Sequence, residues 1–340
     1  VAIMTGREEN FVQKDRHSSR AAEGLAKNGE VRENTFGRYC DNWIAANRTR
    51  LKVSSRARYK ADIENHIKPF FGDRQLWEIT SEDVDRFTQI LLYKKQLSAK
   101  TARNILALFQ SAFLYAKKRS GQQLTDLEII YPKEPRKEVR VLSEEEEVKL
   151  IHFLANEMDL SKFGVYLALR TGLRIGEVCA LRWGDISRKS ETLSVCRTVQ
   201  RVQSPDTKSY VKTELVIGSP KTDSSCRTIP LMPDLSALCA RFDPKDPQAF
   251  VLTGTRQCME PRKLQRRLKE YTEECQIKKV HFHTLRHTFA TRCIEAGFDV
   301  KTLSEILGHS NISVTLNQYV HPNLEQKREN MSRLKITICF

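Results

Sequence analysis

Six side chains in the second half of the chain have the types and settings that chemistry requires. Arg174 follows a Thr171-Gly172 break, so it can project from the start of a helix. Lys221 lies in SPKTDSS, beside a strand-to-strand turn, and is expected at the tip of a hairpin. His283 and Arg286 stand three apart and so share a helix face. His309 follows Gly308 at a helix end, and Tyr319 lies further on in the polar stretch NQYVHPN. An arginine presents a planar fork of donors that can grip two anionic oxygens at once. Preorganised cations stabilise an oxyanion whose charge grows during reaction. A tyrosine hydroxyl, with an ordinary pKa of ~10, needs local positive potential before it acts as a nucleophile. Taken singly, each residue also has a plain structural reading. An Arg caps a helix, a hairpin Lys is solvated, and a Tyr packs. Function depends on whether they act jointly.

These residues need a scaffold, and the sequence supplies one. VLSEEEEVKLIHFLANE opens a second domain as a helix capped by Ser143, with Glu144 to Glu147 at its positive dipole end. KFGVYLALRTGLRIGEVCALRW reads as two helical stretches around Thr171-Gly172. Residues 192–230 change character. TLSVCRTVQRVQ, YVKTELVIGSPK and CRTIPL are β-branched runs broken by SPDTKS and TDSS, which predicts a three-stranded antiparallel meander. The remainder is helical: PDLSALCARF, EPRKLQRRLKEYTEEC, FHTLRHTFATRCIEAG, DVKTLSEILG and SVTLNQYV. The second domain is therefore mainly α with a small antiparallel β-sheet.

The first part of the chain reads differently. Residues 1–30 are polar, without sustained periodicity, and are expected to be a flexible leader or the remnant of a longer N-terminal region. Phe36, Tyr39, Cys40 and Trp43 recur at helical spacing. SSRARYKADIENHIKPFFG predicts a second helix that stops before Pro69 and Gly72. Thr80 followed by Asp83 is a capping-box pattern, with Val84, Phe87, Ile90 and Leu91 on one face behind it. A fourth helix carries Ile105, Leu108, Phe109, Ala112, Phe113 and Ala116 at i, i+3, i+4 spacing. This small, all-helical domain is expected over 31–131. A Pro-rich charged linker over 132–139 separates it from the second domain at 140–325, and a tail follows over 326–340.

Charge narrows the partner. The 340 residues hold 57 Lys and Arg against 42 Asp and Glu, a net charge of +15. The excess is clustered. Arg48 to Lys60 has six basic residues and no acid, and Arg262 to Lys269 adds five more. Such clusters fit nucleic-acid phosphates, whose neutralisation releases counterions. Lys52, Arg56, Arg58, Lys60, Lys100 and Arg103 are candidate DNA contacts in the first domain. Arg262, Lys263, Arg266 and Arg267 are candidates in the second. No apolar run approaches the ~18–20 residues that span a bilayer, and the N-terminus lacks the apolar core of a signal peptide. A membrane role is therefore not expected. Nine scattered cysteines include no CxxC, so reduced thiols, several of them buried, are expected. His281, His283 and His287 cluster without a carboxylate at HExxH spacing, and no metal is assigned to them.

At this point the sequence resembles a known family. TGLRIGEVCALRW, SPKTDSSCRTIPL, HTLRHTFATRC, LGHS and the following Tyr319 occur in the order and spacing of the tyrosine recombinases, the phage-integrase family. The likeness spans about 140–325 and is closest to integrases of Gram-positive phages and conjugative transposons. The resemblance implies a helical, SAM-like core-binding domain followed by a catalytic domain, together a C-shaped DNA clamp. It implies a site-specific recombinase that integrates or excises a mobile element with no cofactor. Tyr319 would form a 3′-phosphotyrosine while a 5′-hydroxyl leaves. Arg174, Arg286 and His309 would hold the phosphate, His283 would be the general base, and Lys221 would protonate the leaving oxygen. Glu177 orients Arg174 or supports the fold, and His281 and His287 serve in packing or phosphate contact. The reaction stores one phosphodiester as another, which accords with the lack of a P-loop motif.

The implied partners are double-stranded attachment sites, a homotetramer on DNA, and an excisionase or a host DNA-bending factor. The implied setting is the cytoplasm, at the nucleoid of a bacterium carrying a phage or mobile element. The C-terminal tail is a candidate for docking on a neighbouring protomer. Two alternatives remain: a chromosome-dimer resolvase, and a DNA-binding protein that has kept the fold but lost cleavage.

Overall fold

The computed structural model describes residues 35–135, 139–203, 213–218, 226–319, 328 and 331–332. The leader over 1–30, Lys221 and most of the 326–340 tail lie outside the described residues, as do 136–138 within the linker. The chain divides into two compact units, Val1–Arg136 and Lys137–Phe340.

The first unit is helical. It holds α1 (Phe36–Ala46), α2 (Val53–Asp62), α3 (Lys68–Phe71), α4 (Ser81–Gln89) and α5 (Ala99–Ser120). Thr80 caps α4 by accepting from the Asp83 N–H, and the Asp83 carboxylate returns the bond to the Thr80 N–H. Ser98 caps α5 by accepting from the Thr101 N–H. The second predicted helix does not stop before Pro69. A wide turn over Ile63–Ile67 carries α2 into α3, and Pro69 sits in the first turn of α3. Proline is tolerated there because N–H groups at a helix start need no intrahelical acceptor. Phe36, Phe71, Phe87 and Phe109 fill the centre, with Phe71 and Phe109 rings 4.7 Å apart. Each comes from a different helix, so this aromatic cluster ties the unit together.

The second unit holds α6 (Glu144–Ala155), α7 (Leu160–Thr171), α8 (Ile175–Ala180), α9 (Pro233–Phe242), α10 (Pro261–Glu274), α11 (Phe282–Glu295), α12 (Val300–Leu307) and α13 (Ile312–Tyr319). Its strands are β1 (Ile186–Ser187), β2 (Thr192–Val195), β3 (Thr198–Gln203), β4 (Thr213–Gly218) and β5 (Arg227–Pro230). Ser143 caps α6 by accepting from the Glu146 N–H, as its sequence predicts. Phe163 stacks on Trp183 at the core, and Arg292 ties α11 to Glu147 and to the Leu142 carbonyl.

The strands do not form one meander. β1, β2 and β5 make one antiparallel sheet, and β3 pairs only with β4 among the described residues. Alternation in a sequence marks a strand but leaves its partner open, since pairing is set by the surfaces that each face buries. Here Asp185 pairs with Arg197 at 2.5 Å between β2 and β3, at the point where the chain leaves one sheet for the other. Lys221, expected at a hairpin tip, lies outside the described residues.

Candidate active site

The C-terminal end of α12 is the organising feature. The last carbonyls of a helix have no intrahelical donor and carry the negative end of its dipole. Three arginines satisfy them. Arg227 Nε donates to the Ile306 carbonyl at 2.5 Å, and Arg286 Nη2 donates to the Leu307 carbonyl at 2.7 Å. Arg174 reaches the Leu307 and Gly308 carbonyls at 3.4 and 3.3 Å. Gly308 ends the helix in the left-handed region (φ 64°), and a Cβ there would meet Arg227 Nη1 at 2.9 Å. Both the backbone angle and the close approach call for glycine.

One carboxylate links two of these arginines. Glu177, 4% exposed, accepts from Arg174 Nη1 at 2.8 Å and from Arg227 Nη2 at 2.8 Å. It also caps α8 by accepting from the Arg174 N–H at 2.9 Å. Burial alone would raise its pKa, but the Arg227 bond and charge, then Arg174, hold it below the usual carboxylate value. Arg174 thus leaves the start of α8, where the sequence puts it, with its backbone and guanidinium held by the same side chain.

Arg286 lies almost wholly buried on α11, with Nη1 donating to the Gly172 carbonyl at 2.8 Å. Burial, then the nearby Arg174 charge, push its pKa down to about 9. Its Nε has no hydrogen-bond partner among the described residues. A buried donor without an acceptor is costly, and an anionic oxygen is its natural partner.

Tyr319 ends α13 and is buried. Its hydroxyl stands 2.7 Å from His287 Nδ1. Burial raises the phenol pKa, while the charges of Arg286 and Arg174 and a bond with Arg286 pull it back. The His283 ring meets the His287 ring edge-on at 4.5 Å. His309 Nδ1 lies 2.8 Å from Thr315 Oγ1, which links the turn after α12 to α13. Burial and then the cations around them hold His309 at about 4; burial, then His283, hold His287 at about 4. His283 is lowered by burial, then by Arg286 and Arg174. All three imidazoles are therefore neutral near pH 7, with one ring nitrogen of each free of a proton and able to accept one.

Arg174, His283, Arg286, His309 and Tyr319 thus gather at one place from α8, α11, the α12–α13 turn and α13. Lys221 lies outside the described residues. His281 stands at the start of α11, its N–H donating to Thr284 Oγ1. Arg227 carries no role in the sequence reading. The one signal was a charged residue inside the β-branched run CRTIPL, where an unpaired cation would be out of place. His287 was visible in HTLRHTF, but only the fold puts it against Tyr319.

The candidate DNA contacts fall on outward faces. Arg262, Lys263, Arg266 and Arg267 are exposed on α10, with Arg267 held by Glu270 at 3.2 Å. Lys52 precedes α2, and Arg56, Arg58 and Lys60 lie on it; the Arg58 guanidinium sits over the Tyr59 ring. On α5, Lys100 faces Glu134, and Arg103 donates to the Pro132 carbonyl and covers Tyr131.

Residues 140–326 match the phage integrase family, and residues 35–92 match the phage integrase N-terminal SAM-like domain. The chain belongs to the phage integrase family. It is a tyrosine-type site-specific DNA recombinase. Among its relatives is a XerC-like tyrosine recombinase of Caldanaerobacter subterraneus, 27% identical, covering 98% of this chain and 95% of the relative. The ICEBs1 integrase of Bacillus subtilis is 24% identical over 80% of this chain and 75% of its own length. Among solved structures, the Tn1549 transposon integrase in complex with a circular intermediate DNA superposes with a TM-score of 0.67. That match is 23% identical and covers 87% of this chain and 99% of the other. The recombinase shares the mainly α fold, with a SAM-like domain ahead of the catalytic one. Among the described residues no helix is long and apolar enough to cross a membrane.

Proposed function

We propose that Tyr319 is the nucleophile of a recombinase that integrates or excises a mobile element through a 3′-phosphotyrosyl intermediate. The observation that carries this is the buried Tyr319 hydroxyl, bonded to His287 and faced by Arg286 and Arg174. In the reaction the Tyr319 oxygen attacks the scissile phosphorus and the bond to the 5′ oxygen breaks. The phenolic proton passes to an imidazole, His287 by direct contact or His283 beside it. Arg174 and Arg286 take the non-bridging oxygens, the unpartnered Arg286 Nε among the donors, and His309 adds a further hydrogen bond. Lys221 protonates the departing 5′ oxygen. Rejoining reverses these steps onto a new 5′-hydroxyl.

Two duplexes must each be cut on both strands, so four protomers act together. Lys52, Arg56, Arg58, Lys60, Lys100 and Arg103, with Arg262, Lys263, Arg266 and Arg267, supply phosphate contacts that fix register on the DNA. The ICEBs1 integrase among the relatives favours a mobile element; the XerC-like relative favours chromosome-dimer resolution as the second reading. Excisionase or DNA-bending partners belong with the first.

A nicked suicide substrate carrying the attachment site tests the chemistry. The expected result is a covalent protein–DNA adduct that disappears in Tyr319→Phe. An adduct that persists in that variant removes Tyr319 as nucleophile. Element-end sites against a chromosomal resolution site, offered to the same enzyme, separate the two readings.

A further inference from the structure

Cys196 and Cys226 take no part in the site above, yet each adjoins the last pair of the β2–β5 ladder. The last paired residues of β2 and β5 are Val195 and Arg227, and the ladder is antiparallel. Continued one step beyond this last pair, the register would bring Cys196 against Cys226. Directly opposed residues in an antiparallel pair have Cα atoms about 4.5–5.5 Å apart. A disulfide accepts about 4.4–6.8 Å. Opposed side chains also leave the same face of the ladder, so the two Cβ vectors run together.

Their surroundings differ from those of the four buried cysteines, while Cys258 and Cys275 are half-buried. Cys40, Cys179, Cys239 and Cys293 are buried, and burial raises their thiol pKa values to about 12, 12, 11 and 12. Cys226 is exposed, and Cys196 is half-buried. Cys196 Sγ points at Asp185 Oδ1, 3.6 Å away, and Arg197 binds the same carboxylate. Burial, then Asp185, raise the Cys196 thiol pKa, and Cys226 adds to the same shift.

We propose that Cys196 and Cys226 form a reversible disulfide, a redox-modification site at the open end of the β2–β5 ladder. The oxidant class is a low-molecular-weight disulfide such as oxidised glutathione. The exposed Cys226 thiolate attacks one sulfur of that disulfide, giving a mixed disulfide and one small thiol. Cys196, after losing its proton, attacks the Cys226 sulfur and releases the second small thiol. Two protein thiols and one small disulfide become one protein disulfide and two small thiols, so atoms and electrons balance.

The bond has a route to the active site. Arg227 follows Cys226 directly, and its guanidinium holds both Glu177 and the end of α12. Cross-linking fixes the strand end from which Arg227 leaves, and any shift there reaches Arg174 through Glu177. This second step rests on the active-site assignment above, while formation of the disulfide does not.

The test uses the full chain equilibrated in graded mixtures of oxidised and reduced glutathione, then alkylated, digested and mapped by mass spectrometry without reduction. The expected product is a linked peptide pair containing Cys196 and Cys226, short of two hydrogens and abolished by dithiothreitol. Absence of that pair, or a glutathione adduct on Cys226 that never resolves, overturns the proposal. In parallel, oxidised enzyme should cleave the suicide substrate more slowly, by up to about 100-fold, as groups displaced by about 1 Å do. Dithiothreitol should restore the rate, and Cys226→Ser should be indifferent to oxidation. A linked peptide with unchanged cleavage keeps the modification site and removes its coupling to Arg227. Equal redox sensitivity of Cys226→Ser assigns the effect to another thiol and overturns the coupling as well.

Discussion

Glu177→Ala tests the arginine network at its centre. The substitution removes a carboxylate that accepts two bonds from Arg227, at 2.8 and 3.2 Å, and two from Arg174, at 2.8 and 2.9 Å. The side chains of Glu177 and Arg227 are only 3% and 5% exposed, so the pair is sheltered from water. Breaking one partner of a buried ion pair costs about 3–5 kcal/mol, because the remaining charge loses its counter-ion where water cannot replace it. Arg174 is 36% exposed, so solvent takes over much of its loss and adds little. A fall of about 3–5 kcal/mol is a large part of a domain stability of about 5–15 kcal/mol.

Urea unfolding followed by Trp183 fluorescence reports the second unit once Trp43 and Trp77 are replaced by Phe. The double substitution Glu177→Leu with Arg227→Met should lose less than the two single changes added together, since no buried charge is then left alone. Cleavage of the suicide substrate by Glu177→Ala should fall more than DNA binding, because Arg174 loses its support but the basic faces remain. A stability loss under about 1 kcal/mol, or strictly additive single changes, would refute the network as the holder of Arg174.

Three further outcomes follow from the same geometry. The folded pKa values of His287 and His309, about 4, lie below the ordinary value of 6.5, so the folded state binds fewer protons than the unfolded one between those limits. Their contribution is therefore complete above pH 6.5 and lost as pH falls towards 4; melting temperature should drop across that window, less steeply in His309→Gln, and an equal slope in both proteins contradicts it. Gly308→Ala should cost about 1–2 kcal/mol for the left-handed backbone alone, with more from the contact with Arg227, and an unchanged urea midpoint opposes this. Arg262→Ala with Arg266→Ala should lower the slope of log affinity against log salt by about 0.9 per lost phosphate contact, with cleavage at saturating DNA preserved; an unaltered slope removes α10 from the DNA surface.

Much of the architecture is legible in local signals. Helical spacing at Phe36 and Cys40, the Thr80–Asp83 box and the Ser143 cap are local signals, and local hydrogen bonds realise them. The order and intervals of Arg174, His283, Arg286, His309 and Tyr319 also stand in the sequence, and the structure brings these five together.

Tertiary structure decided the rest, because it depends on surfaces far apart in the chain. Strand pairing is one case: β2 joins β5 across the β3–β4 ribbon, a choice that alternation along each strand cannot express. The path through Pro69 is another, set by a wide turn that carries no residue signature. Arg227 and His287 are the clearest. A lone arginine in a strand and a second histidine on a helix are chemically ambiguous as letters. Their roles appear only when the end of α12 comes within 2.5 Å of Arg227 and the end of α13 brings Tyr319 within 2.7 Å of His287. Sequence fixes which groups are present and in what order. Burial and convergence decide which of them meet, because hydrogen bonding and desolvation act through space and not along the chain.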